Sequence, residues 1–366
     1  MPHRWVRLIV AIGIGWTCEI ASADVSFDWV TVGNPGNAPD PLNSPGGPCE
    51  TQNACIPDIG KVDYVYRIAR YEVTNAQYVA FLNAVGADDP NHIYSPSMGF
   101  DPRGGITRDG SAPNYAYTCR PNMDNKPVNF VSFFDAMRFV NWLHNGQPTG
   151  AQSLATTEDG AYLIANGLIE TRSFDSRVFL PNGNEWYKAA YHQPFASGGD
   201  LDDYWLYPTA SNAPPASATA DSAGDVANPG ANVANFEQGA VWNNQPGNVT
   251  SVGSAGAESR SYYGTADQGG NLWEWVEETR NIQGSWRTHR GGAILEDVLA
   301  LQSRVEGQNN PTIEDYVLGF RVASRAFPNG VPTASTWGLS ILGLFLLLGA
   351  TLLMRGRTLS GNQVVS

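Results

Sequence analysis

Apolar residues recur at helical spacing in three short stretches, and each stretch opens on a side chain able to accept an otherwise unpaired backbone N–H. Thr74-Asn75-Ala76-Gln77 opens the first, which runs to about Val85 before Gly86. Ser132-Phe133-Phe134-Asp135 opens the second, where Ala136, Met137, Phe139, Val140 and Leu143 form an apolar stripe that Asn145-Gly146 stops. Asn182-Gly183-Asn184-Glu185 opens a third helix, short and aromatic, through Tyr191. Tyr64–Tyr71, Val178–Leu180 and Phe320–Ala323 read as strands. Between these elements Asx, Gly, Pro and Ser dominate, notably from Asn34 to Gly60, Asp101 to Pro127 and Ser197 to Gly247. No repeat of fixed period is present, and a few helices among short strands and long loops predict a loop-rich α+β domain.

The two ends have a different character. Arg4 and Arg7, the apolar stretch Leu8 to Trp16 and then Ala21-Ser22-Ala23 follow the order of a secretory signal peptide, with cleavage expected after Ala23. Trp337 to Met354 is eighteen residues without a charge, followed by Arg355 and Arg357. That length and those flanking arginines predict a transmembrane helix with the preceding domain on the periplasmic or extracellular side. Val331-Pro332-Thr333-Ala334-Ser335-Thr336-Trp337-Gly338-Leu339 resembles the IPTL-CTERM signal, a relative of PEP-CTERM, at the C-termini of exported Gram-negative proteins. The resemblance implies an exosortase-type enzyme as a partner that processes the tail toward the cell surface; a permanent anchor stays open. The expected organisation is therefore a leader over 1–23, one domain over 24–330, and a sorting signal over 331–366.

Composition narrows the partners. Residues 24–330 carry 18 Lys and Arg against 34 Asp and Glu, a balance that disfavours nucleic acid and suits divalent cations. With 11 Trp, 15 Tyr and 14 Phe the chain has ample material for a core. Export permits disulfides, and Cys49 with Cys55 is the most local pairing, which leaves Cys119 over.

Several segments in a fixed order resemble the formylglycine-generating enzyme, or sulfatase-modifying factor, family. Tyr71-Glu72-Val73-Thr74-Asn75-Ala76-Gln77-Tyr78 is similar to its E-V-T-N-x-x-Y segment. Lys126-Pro127-Val128-Asn129-Phe130-Val131-Ser132, with Ala136 and Trp142, resembles P-V-x-x-V-S-W-x-D-A-x-x-Y-x-x-W. Phe179-Leu180-Pro181, Glu185-Trp186, Ala189-Ala190 and Ala234-Asn235-Phe236 follow. Asp267-Gln268-Gly269-Gly270-Asn271-Leu272-Trp273-Glu274-Trp275 resembles D-M-x-G-N-V-W-E-W, and Arg290-Gly291-Gly292 and Gly319-Phe320-Arg321-Val322 close the series. The resemblance implies a variant of the C-type lectin fold.

It also implies calcium, with Asp267 and Glu274 giving side-chain oxygens and Gly270 and Leu272 giving carbonyls; a hard cation takes such ligands. A second calcium site would begin with the Asn235 side chain and the Phe236 carbonyl. The family's oxidases hold copper on two cysteines, which would fall here near Val298 and Ser303, yet Gly291 to Gly319 contains no cysteine. Cu(I) prefers thiolate, so copper is not expected. Ser303 would need a base, and no motif links it to His289. His92, His144, His192 and His289 are scattered, and His144 is expected to meet the C-terminal carbonyls of its helix. Arg103-Gly104-Gly105-Ile106-Thr107-Arg108 lacks a Walker lysine and reads as an ordinary surface loop. Two functions follow: a calcium-stabilised module binding an exported protein or a glycan, or an enzyme of this family with a non-standard active site.

Overall fold

Thr74, Ser132 and Asn182 each accept the backbone N–H three residues on, while Gln77, Asp135 and Glu185 reach back to the cap, so all three capping boxes close. The helices they start are α1 (Asn75–Val85), α3 (Phe133–His144) and α4 (Gly183–Tyr191); a single turn, α2 (Ser97–Phe100), lies between the first two. The computed structural model describes residues 24–43, 56–167, 169–279 and 286–326. The expected leader, the Cys49–Cys55 pairing and the apolar C-terminal stretch lie outside the described residues. Among the described residues no helix is long and apolar enough to cross a membrane.

The strands are short. In chain order they are β1 (Trp29–Val32), β2 (Tyr66–Ala69), β3 (Ile106–Asp109), β4 (Ala116–Cys119), β5 (Val178–Phe179), β6 (Ala216–Ser217), β7 (Val233–Ala234), β8 (Val241–Trp242), β9 (Gln245–Pro246), β10 (Trp273–Thr279), β11 (Arg287–Arg290), β12 (Gly307–Asn309), β13 (Leu318–Gly319) and β14 (Ala323–Arg325). Two four-stranded sheets organise the domain, in the orders β1-β2-β14-β5 and β12-β11-β10-β13. The expected strand Phe320–Ala323 does not form as one: only Ala323 lies in a strand, at the start of β14, and β13 ends just before Phe320. β13 pairs with β10 in one sheet and β14 pairs with β2 and β5 in the other, so Phe320, Arg321 and Val322 are the crossing between sheets. The backbone carbonyls of Phe320 and Val322 accept N–H groups from Val73 and Ala69, which pins the crossing to the end of β2.

The apolar stripe of α3 buries Ala136, Met137, Phe139 and Val140. Phe139 is the hub: its ring lies 5.8 Å from Tyr78, 5.4 Å from Phe81, 5.8 Å from Trp142 and 5.4 Å from Phe320. α1, α3 and the inter-sheet crossing thus share one aromatic cluster. Phe139→Ala is expected to lower unfolding free energy by about 3–5 kcal/mol, the cost of a cavity that its neighbours cannot fill. Urea denaturation measures this; a loss below about 1 kcal/mol would mean the cluster repacks.

Candidate functional site

Residues far apart in sequence meet at the carboxylate of Glu274, which is fully buried on β10. Arg321, in the crossing between the sheets, donates to it from Nε at 2.5 Å and from Nη2 at 2.6 Å. The indole Nε1 of Trp186 on α4 donates to the same carboxylate at 2.7 Å. Gln268 ties the two segments again by donating to the Trp186 carbonyl at 3.0 Å.

The guanidinium has five N–H donors, and the remaining ones reach the carbonyls of Ala69, Arg70 and Ala266 at 3.1, 2.9 and 2.9 Å. None is left for the two other carboxylates nearby, those of Glu72 and Asp267. Glu72 is 1% exposed, and neither of its side-chain oxygens has a hydrogen-bond partner. Burial, then the charges of Asp267 and Glu274, hold its carboxyl well above the ordinary range. Asp267 is only partly buried and accepts the Gly253 N–H; burial lifts its carboxyl to about 6 despite that bond and Arg321. Burial by itself lowers the Arg321 pKa, and the Glu274 carboxylate outweighs it and raises it. If all three carboxylates were ionised they would exceed the one guanidinium by two negative charges, and buried charge without a partner is costly.

The loop carrying Asp267 is shaped by backbone that side chains rarely adopt. Asp267, Gly270 and Asn271 have φ of 59°, 82° and 58°. A Cβ on Gly270 would lie 2.3 Å from the Asn235 carbonyl oxygen, so this glycine is required for the loop to close against Asn235. The Gly270 N–H donates to Gly291 and the Asn271 N–H to Asn235, which brings the Ala234-Asn235-Phe236 and Arg290-Gly291-Gly292 segments into the same node.

A resident divalent cation can be tested against these residues. Glu72 supplies two buried oxygens without a donor, Asp267 stands beside it, and among the described residues no donor is placed on the carbonyls of Gly270 or Leu272. These are hard oxygen ligands and fit calcium. The Glu274 oxygens already serve Arg321 and Trp186. Among the described residues no three His, Cys, Asp or Glu side chains converge as a ligand group by themselves, so a cation here needs the carbonyls. The second set is mixed. Asn235 has a buried Oδ1 without a partner, but the Phe236 carbonyl accepts the Ser217 hydroxyl at 2.7 Å and the Gly239 N–H at 3.1 Å, which uses both lone pairs. The Phe236 carbonyl thus faces the protein's own donors.

Glu72 is the site residue that sequence reasoning missed. Its signal was available as an acid within Tyr71–Tyr78, one step from the wholly buried Val73.

The positions expected to carry thiols hold other chemistry. Val298 begins a single turn of helix, and Ser303 is buried, its hydroxyl accepting from Asn43 at 3.1 Å, with Asn43 also donating to Tyr187 at 2.8 Å. His289 is elsewhere, its ring 4.8 Å from Trp273 and 5.6 Å from Trp275, with burial holding it near 3, so it stays neutral. Ser303 and His289 have no partner in common. His192 meets Tyr263 at 2.8 Å and His92 stands beside Glu314. His144 accepts the Arg177 N–H at 3.1 Å, which corrects the expectation that it serves its own helix end: that nitrogen is an acceptor. Cys119 lies on β4, where burial and then Asp124 push its thiol up to about 12. The loop at Arg103–Arg108 is also corrected. Gly104, Gly105 and Ile106 are buried, and Gly105 leaves no room for a Cβ beside the Asn75 side chain, while Arg103, Thr107 and Arg108 are partly exposed, so the middle of the loop is packed structure.

A loop-rich α+β scaffold, closed on a buried ion pair by segments spread over 250 residues, defines the class. The sulfatase-modifying factor enzyme 1-like domain profile matches residues 35–326, and the chain belongs to that family. No curated protein matches the sequence. Among solved structures it is similar to CarF at 20% identity, covering 82% of this chain and 99% of that one with a TM-score of 0.47. It is also similar to PvdO from Pseudomonas aeruginosa at 18% identity, covering 81% and 94% with a TM-score of 0.42. Treponema denticola variable protein 1 is 17% identical, covering 72% and 85% with a TM-score of 0.39.

Arg321→Met would leave Glu72, Asp267 and Glu274 buried without their countercharge and is expected to cost about 3–5 kcal/mol. Urea unfolding of the variant measures it, and a change under about 1 kcal/mol would mean that the pair does not hold the sheets together.

Proposed function

We propose that this chain is an exported, membrane-tethered module on a C-type-lectin-like scaffold, stabilised by calcium, that binds an exported protein or a glycan and does not perform copper-dependent oxidation. The observation that carries the reading is chemical. The stretch from Gly291 to Gly319 has no thiol, Ser303 stands where one is expected, and its hydroxyl is enclosed with Asn43 and Tyr187. Copper would lack the soft ligands it needs there.

Calcium would be held by Glu72 and Asp267 with the carbonyls of Gly270 and Leu272, and Glu274 would stay with Arg321 at the edge of the site. The ion's contribution would be charge: two positive units against the excess of two negative ones, fixing the loop around Gly270. Export and tethering rest on the leader pattern, on the eighteen uncharged residues and on the sorting motif, which also supply the exosortase-type partner. The acidic balance of the domain supports a ligand other than nucleic acid.

The full chain in detergent tests both halves. Calcium at about 100 times its Kd should stabilise the fold by about 2.7 kcal/mol over the EDTA-treated protein, read as a higher Tm, and Glu72→Gln should remove most of that response. A sulfatase-type cysteine peptide with added copper should yield no aldehyde. Aldehyde formation would overturn the binding reading, and a Tm indifferent to both EDTA and calcium would overturn the metal.

A further inference from the structure

Away from the carboxylate node, a cleft of about 260 Å³ opens beside Lys126, lined among others by Asn122, Asp124, Asn125, Asp225 and Ser251. Lys126 precedes Pro127 in the Lys126–Ser132 segment, and its side chain is buried, with the ammonium 5.0 Å from the centre of the Trp242 ring. Nζ donates to the Ser251 hydroxyl at 2.7 Å and to the Ala223 carbonyl at 3.0 Å; Asp225 is 3.8 Å away. A lysine acting only as a strut explains the bond to Ala223. It does not require a hydroxyl partner opening onto a cleft, nor the side-chain amides of Asn122 and Asn125 beside it, which make no hydrogen bond to the protein among the described residues.

We propose that Ser251 and Lys126 form a nucleophile–base pair that hydrolyses small uncharged or cationic acyl esters in this cleft. The cleft suits a small ester, and Asp124 and Asp225 on the rim repel carboxylate substrates. In the reaction, Ser251 Oγ attacks the ester carbonyl carbon while its proton passes to neutral Lys126 Nζ. The carbonyl oxygen becomes an oxyanion, and the amides of Asn122 and Asn125 are the donors available to it. Collapse breaks the carbon–oxygen bond to the alcohol, which leaves with the proton from Nζ. Water then attacks the acyl-serine, gives one proton to Nζ, and releases the carboxylic acid as the proton returns to Oγ. No oxidant or metal is needed.

The working form has a neutral amine. Burial lowers the Lys126 pKa from its ordinary value, against Asp225, Asp221 and Asp124, which raise it; the other group facing the amine is the uncharged Trp242 ring. The active fraction therefore rises with pH and does so below the range of a free lysine.

This inference goes beyond the binding reading and stands whether or not calcium is bound. The full chain in detergent is treated with a fluorophosphonate probe and mapped by peptide mass spectrometry, and p-nitrophenyl acetate hydrolysis is followed on the same sample. An adduct on Ser251 that increases with pH is expected. Ser251→Ala should lose both the adduct and at least about 100-fold of the ester turnover. Lys126→Arg keeps the charge and the strut but cannot act as the base, so its labelling should fall by a similar factor at an unchanged Tm. An unlabelled Ser251 between about pH 7 and 10, or Lys126→Arg labelled at the wild-type rate, would overturn the proposal. Should Lys126→Arg fail to fold, wild-type labelling that does not rise with pH overturns it. The calcium response of Tm in the same preparation is independent of every one of these outcomes.

Discussion

One guanidinium sets the terms for the rest of the domain. Arg321 sits where the chain passes from one sheet to the other, and every donor it has is engaged by protein: the Glu274 carboxylate and the carbonyls of Ala69, Arg70 and Ala266. With strands of two to seven residues, neither sheet has a long hydrogen-bond ladder to hold it, so the crossing between them matters more than in a domain of long strands. The complete engagement of Arg321 also creates a problem, because Glu72 and Asp267 are left beside it with no donor from the arginine. A buried carboxylate without a partner either takes a proton or takes a cation, and the proposed calcium site is the second of these.

How much of this was legible beforehand differs by element. The three helices were, because each is announced by a capping side chain and a matching residue three positions on, and those interactions are local in sequence. The crossing was not. Phe320–Ala323 has the composition of one strand, and only the pairing of Leu318–Gly319 with β10 before it and of Ala323–Arg325 with β2 after it leaves Phe320 to Val322 as the crossing, which is a matter of tertiary partners. Asp267, Gly270 and Asn235 were visible through motif resemblance, and the Gly270 and Asn235 segments pair through their backbones. Glu72 was passed over because its motif reads as the start of a helix, while its distinguishing property, two buried oxygens with no donor, exists only in the folded chain.

The family's framework signatures are present in this chain, while the stretch Gly291 to Gly319 has no cysteine. The signatures close on the buried node pair by pair: Trp186 and Arg321 donate to Glu274, Glu274 pairs with Arg290 beside Gly291, and backbone hydrogen bonds join Gly270 to Gly291 and Asn271 to Asn235. The segment between β11 and β13, where copper thiolates would lie, instead carries Val298 and Ser303, and Ser303 is absorbed into a hydrogen-bonded core with Asn43 and Tyr187. Fold retention therefore follows from the node, and function has to be sought in surfaces and clefts that the node supports.

The most direct test of the central claim, that the excess buried charge at Glu72 and Asp267 holds a divalent cation, is terbium luminescence on the full chain. Trp186 bonds to Glu274, and Trp273 and Trp275 flank it, so an ion in the site has indole donors close by. Excitation of tryptophan should give sensitised terbium emission that calcium displaces and that Glu72→Gln abolishes. Absence of sensitised emission, or emission that calcium does not displace, would contradict the account and leave Glu72 as a buried carboxylic acid holding its proton.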